Sequence, residues 1–184
     1  LSGFEYGSSR QFVYKWTDPV RIGIRGSPTT QDRTVLQGVA SELKELTRLD
    51  ISIVEEGSQN VNFYILPISE FGIVERNYVP GNSGFAYVYF KSANSCELVR
   101  ANILIDKDLS EPYRSHLLRE EVTQSLGLLQ DTSHPNSIFS QDPSVTIKEY
   151  TPLDRAVIYL HYLPTKPCMT REQALRELDK IFGD

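Results

Sequence analysis

The stretch Glu120-Glu121-Val122-Thr123-Gln124-Ser125-Leu126-Gly127-Leu128-Leu129-Gln130-Asp131 predicts a helix and its stop. Leu118, Val122 and Leu126 recur four apart, which puts them on one buried face. Gly127 can adopt the left-handed conformation that ends a helix without a side-chain penalty. The pattern extends back to residue 110, giving a helix over 110–126. Glu120 and Gln124 are also four apart and share another face. His116 lies one turn before Glu120, on roughly the same face. Past the glycine, residues 128–150 are rich in Ser, Pro, Asn and Asp and read as an irregular segment.

Upstream, Val20-Arg21-Ile22-Gly23-Ile24-Arg25 alternates apolar and charged residues, the period of a half-buried strand. Thr29 or Thr30 can cap the helix that follows, over 30–48, where Val35, Val39, Leu43 and Leu46 keep helical spacing. Residues 51–54 and 61–66 read as strands, and 69–75 as a short helical turn. The β-formers of 84–90 and the strand within 98–106 are joined by a polar hairpin connection at 91–97. Downstream, 153–163 reads as a helix, and Thr170 caps a last one through Thr-Arg-Glu-Gln. Strand, helix, four strands, helix, irregular segment and terminal helices make an α+β order rather than a βαβ repeat.

The quoted stretch resembles the metzincin zinc motif, H-E-x-x-H-x-x-G-x-x-H-D. In that motif two ligands four apart share a helix face, and the adjacent glutamate is general base to a zinc-bound water. Glu121, Gly127 and Asp131 match the base, the turn glycine and the trailing acid. Glu120, Gln124 and Gln130 occupy the three histidine positions. Asn136-Ser137-Ile138-Phe139-Ser140 resembles the Met-turn, with Phe139 in place of methionine. The segment 151–162, with Asp154 near its start, resembles the helix that follows in the matrixin group. Residues 84–90 look like the edge strand along the substrate cleft. The segments Glu-Glu-Val-Thr-Gln-Ser-Leu-Gly-Leu, Thr-Pro-Leu-Asp-Arg-Ala and Pro-Cys-Met-Thr are most similar to the bacterial domain-of-unknown-function family 2927, several of whose members carry lipoprotein descriptions.

The resemblance implies a zincin-like, metzincin-type single domain over 1–184. It would have a mixed twisted sheet, two long helices and C-terminal helices. Its N-terminal sheet-and-helix subdomain would span about 18–127 and its C-terminal subdomain about 128–184. It also implies a bacterial envelope or secreted location, with a lipid anchor before Leu1.

The substitutions change the chemistry that the motif normally supports. A catalytic zinc site uses three protein ligands, mostly imidazoles, plus water. A glutamine carbonyl is a poor zinc ligand, and an all-oxygen set suits calcium or magnesium better. No metal or other cofactor is therefore expected, with zinc or another divalent cation as the alternative. Without the metal, Glu121 is a vestigial general base, because the water it would deprotonate keeps its ordinary pKa. Three readings follow. The first is a pseudo-peptidase whose cleft binds a peptide or protein segment without cutting it. The second is a metal-dependent peptidase or hydrolase with Glu121 as general base and relocated or oxygen ligands, His116, Glu120 and His134 being the relocated candidates. The third is a structural interaction domain with a silent cleft.

Other functions are excluded by what the chain lacks. The net charge is −5 and the basic residues form no stripe, so no nucleic-acid partner is expected. No apolar run reaches the roughly 18 residues of a membrane helix. Ser125 stands outside any G-x-S-x-G elbow, and no phosphate-binding glycine loop is present. Cys96 and Cys168 have no motif spacing. They read as two buried or free thiols, with a disulfide as the alternative in an oxidising compartment.

Overall fold

The computed structural model describes residues 2–3, 12–55, 57–142 and 144–183. Seven strands form one sheet: β1 (Ser2–Gly3), β2 (Lys15–Trp16), β3 (Val20–Gly26), β4 (Ile51–Val54), β5 (Val61–Leu66), β6 (Gly84–Phe90) and β7 (Glu97–Asp106). Their order is β1-β6-β7-β5-β3-β4, and β2 pairs with β7. β3 pairs in parallel with β4 and β5, and β5 in parallel with β7. β6 runs antiparallel to β7, as the predicted hairpin requires, and β1 runs antiparallel to β6 on its other side, so 84–90 is not the edge strand expected along the cleft: residues 2 and 3 cover it at Tyr89 and Val88. The sheet is mixed, as expected, but mostly parallel.

The long helix α1 (Thr30–Thr47) links the parallel strands β3 and β4. Thr29 starts it with a capping box: its hydroxyl accepts from Asp32 N at 3.1 Å, and its own N–H donates to the Asp32 carboxylate at 2.7 Å. A short turn, α2 (Phe71–Val74), stands where 69–75 predicted one. The second long helix, α3 (Tyr113–Gln124), is shorter than the predicted 110–126. Pro112 disfavours helical geometry in the residue before it, which delays the start. Then come α4 (Pro152–Tyr162), capped by Thr151 with Asp154, and α5 (Arg171–Phe182), capped by Thr170 with Gln173.

One face of the sheet carries the main core. Ile22, Val61, Phe63, Ala86, Ile103 and Ile105 meet Leu36, Val39 and Leu43 of α1, Leu118 and Val122 of α3, and Ile158 of α4. A smaller cluster of Leu66, Phe71, Phe85, Tyr87 and Leu104 lies under α2. The expectation of a single buried stripe on α3 is corrected here. Every residue from Arg114 to Gln124 is buried, polar ones included. The reason is tertiary: the segment after Gly127 wraps around the helix and covers the faces that periodicity assigns to solvent.

Backbone carbonyls at a helix end need partners from outside the helix. At the end of α3 the Trp16 indole donates to Ser125 O at 2.9 Å, and the Tyr162 hydroxyl donates to Leu126 O at 2.7 Å. Gly127 follows at φ 105°, where a Cβ would stand 2.1 Å from Tyr14 O. The predicted turn glycine is therefore required both by its conformation and by the chain packed against it. Cys96 and Cys168 are joined in a disulfide, the second of the two readings of the cysteines.

Candidate functional site

α3 and the start of β6 enclose a cavity of about 260 Å³. Tyr113, His116, Glu120 and Glu121 line it from the helix, and residues 81–84 from the strand side. Asp131 and residues 140–142 close it. The polar lining follows from the helix period, since His116, Glu120 and Tyr113 recur three and four apart. Glu121 reaches the strand because residue 84 has no side chain. A Cβ there would lie 2.6 Å from Glu121 Oε1.

Glu120 and His116 form one unit. His116 Nε2 stands 3.3 Å from Glu120 Oε2, and Nδ1 lies 2.8 Å from the Ile147 carbonyl. A carbonyl only accepts, so Nδ1 carries a hydrogen, and the Nε2–Oε2 contact holds one further proton between ring and carboxyl. Burial pushes the Glu120 pKa up, against the pull of His116, and the charge of Asp131 adds to the rise. For His116, burial acts downward, but the hydrogen bond and charge of Glu120, with the Ile147 carbonyl, leave the pKa raised. Both shifts favour keeping that proton on the pair. Tyr113 is raised by burial first and then by the charges of Glu120 and Glu121.

The residue at the motif's second histidine position is also engaged. Gln124 is 1% exposed and donates from Nε2 to Asp131 Oδ1 at 3.0 Å. The third, Gln130, is exposed and lines a different cavity of about 420 Å³, together with Gly127, Phe139, Val157 and His161. The trailing acid rather than Gln130 turns towards the first two positions, and Asp131 is shared by both cavities.

Phe139, in the Met-turn-like segment, is 6% exposed and part of the core. Asp154 holds that turn. Its carboxylate accepts from the Ser137 hydroxyl at 2.6 Å and from Ile138 N at 3.3 Å while it also caps α4. His134 lies apart from His116 and Glu120. It is exposed, and its Nδ1 accepts from Asn136 N at 3.2 Å. Among the described residues no group of three His, Cys, Asp or Glu side chains is placed to hold a metal ion. The donors at the three motif positions do not fit zinc. One is a carboxyl paired with an imidazole, one an amide bonded to a carboxylate, and one an amide in another cavity.

The motif also leaves out residues that shape the site. Gly84 and residues 140–142 belong to it, yet they come from the sheet and from the irregular segment, which no periodicity connects to α3.

A mixed sheet backed by two long helices, with the altered motif on the second, defines a zincin-like domain. The crystal structure of myroilysin aligns with 80% of this chain and 85% of that one, at 12% identity and a TM-score of 0.53, which shows the fold. A second structure of myroilysin aligns over 61% of this chain and 43% of that one, at 16% identity and a TM-score of 0.39. The chain belongs to the family described as Protein of unknown function (DUF2927), which matches residues 3–180. No curated protein matches it.

Proposed function

We propose that this domain binds an extended peptide or protein segment in the cleft between β6 and α3, and that it does so without zincin hydrolysis. The observation that carries the reading is the engagement of the first two ligand positions with neighbours, Glu120 with His116 and Gln124 with Asp131. A metal would have to displace both contacts to gain one carboxylate and one amide oxygen, a poor exchange for zinc. Glu121 at the base position then has no activated water to deprotonate.

Two features support a peptide as the ligand. The fold is peptidase-like, and β6 accepts backbone pairing on its outer edge. Residues 2 and 3 of this chain already add there in the antiparallel sense, opposite Tyr89 and Val88. An extended ligand would use the same main-chain hydrogen bonding. Among the described residues no helix is long and apolar enough to cross a membrane. The Cys96–Cys168 disulfide suits an oxidising compartment, and with it the bacterial envelope or a secreted location.

Elemental analysis of the purified, untagged protein, paired with titration calorimetry against a library of extended peptides, tests the proposal. The expected result is no stoichiometric metal and saturable binding of some peptides, uncut after prolonged incubation. One zinc per chain, with peptide cleavage abolished in Glu121→Ala, overturns it in favour of the hydrolase reading. No peptide binding and no cleavage overturns it in favour of a silent cleft.

A further inference from the structure

The C-terminal helix is held differently from the rest of the chain. No residue of α5 is fully buried, and Leu175, Ile181 and Phe182 are 47%, 58% and 64% exposed. Among the described residues its side-chain ion pairs run within the helix, Glu172 with Arg176 and Glu177 with Lys180. Its attachment is concentrated at its root. Val13 N donates to Met169 O at 2.8 Å, Cys168 N donates to Val13 O at 2.9 Å, and Phe12 bridges Thr170. The one covalent tie is Cys168 to Cys96, 72 residues away at the end of the β6–β7 connection.

That root also walls a cavity. Arg171 and Ala174 of α5 face Phe12, Tyr14, Leu128 and Val157 across the 420 Å³ space that adjoins the peptide cleft at Asp131. Both cysteines line a further cavity of about 520 Å³, and although Cys96 is buried, Cys168 is exposed, which gives a small thiol a route to the bridge. Cys168 also sits at φ 64°, a left-handed conformation unfavourable for a residue with a Cβ. The surroundings hold it there, the bridge and the backbone pairing with Val13 among them.

We propose that the Cys96–Cys168 disulfide is a redox latch. Reduction frees the root of α5, the helix swings away, and the cavity beside the cleft opens. The reductant is a dithiol. One of its thiolates attacks Cys168 Sγ and expels Cys96 as thiolate, and its second thiol then resolves the mixed disulfide. The protein gains two electrons and two protons, and the dithiol leaves as its own disulfide. This inference stands apart from the peptide-binding reading and does not need it.

The test is hydrogen exchange by mass spectrometry on the intact chain, before and after dithiothreitol, with alkylation counting the thiols. The expected result is two alkylated cysteines and exchange about tenfold faster across residues 166–182, while α1 and α3 change less than about twofold, the pattern of a local opening. Anilinonaphthalene sulfonate fluorescence should rise in parallel as the cavity wall is exposed. The double variant Cys96→Ser with Cys168→Ser should show the reduced pattern without reductant. Unchanged exchange across 166–182 with both thiols alkylated overturns the latch. So does a bridge that dithiothreitol leaves intact, and so does faster exchange throughout the sheet and helices, which would make the bridge a general staple. The reductant experiment uses the folded wild-type chain, so it decides even if the double variant does not fold.

Discussion

The helices α1 and α3 pack against the same face of one sheet, yet they are stabilised by opposite means. α1 buries one stripe, Leu36, Val39, Ala40, Leu43 and Leu46, and turns its other side to water. Its ends are settled locally, by the Thr29 capping box and by Arg48 in the left-handed conformation. α3 buries all of 114–124, and eight of those eleven residues are polar. Its N-cap residue, Pro112, offers no side-chain cap. What holds α3 comes from distant parts of the chain. Arg114 makes a bidentate pair with Asp32, at 2.7 and 2.6 Å. Arg119 donates to Glu42 and to Lys148 O, His116 bonds Ile147 O, and Thr123 meets the Tyr150 hydroxyl at 2.6 Å. A buried polar group without a partner costs about 1–3 kcal/mol. A helix like α3 is therefore stable only when the whole fold is in place, whereas the apolar stripe of α1 would seek any core.

The contrast predicts where the molecule is most fragile. Asp32→Ala should cost about 4 kcal/mol in chemical denaturation, because it leaves the Arg114 guanidinium buried without its anion. Adding Arg114→Met should recover much of the loss. If the single change costs under about 1 kcal/mol, the link between the two helices is not what fixes α3. In α1, Leu43→Ala should cost about 3 kcal/mol through lost burial and a cavity, with no partner able to rescue it.

The third expectation concerns pH. Burial lowers the His161 pKa to about 4, so the folded state binds fewer protons than the unfolded state between there and 6.5. Stability is full above pH 6.5 and falls as pH drops towards 4, by about 3 kcal/mol. His116 has the opposite sign. Its pKa is raised, so its contribution is full below 6.5 and is lost as pH rises through the folded value. Denaturation midpoints across pH, with His116→Gln removing the upper slope and leaving the lower one, separate the two. Thr29→Ala is the smallest effect, about 1 kcal/mol from the lost cap. α3 has no counterpart to that change.

Much of the frame could be read from the chain. The alternation in 20–25, the spacing of Val39, Leu43 and Leu46, the hairpin chemistry of 91–97 and the caps at Thr29 and Thr170 each act within a few residues of themselves. The position of Gly127 could be read for the same reason. The site was half legible. The spacing of His116, Glu120 and Gln124 predicts a shared face, because four residues make a helical turn. It does not predict that Glu120 pairs with His116, that Gln124 pairs with Asp131, or that Gln130 turns to another cavity. Those outcomes depend on the path of residues 128–150, which carry no periodic signal.

The sequence by itself determined most of the elements and their order, since backbone hydrogen bonding and apolar spacing are local properties. Only the tertiary structure decided the burial of polar α3, the partners of Glu120 and Gln124 and the closing of Cys96 on Cys168. These depend on which distant groups the fold brings within about 3 Å of one another, a distance at which hydrogen bonds form and about which local spacing says nothing.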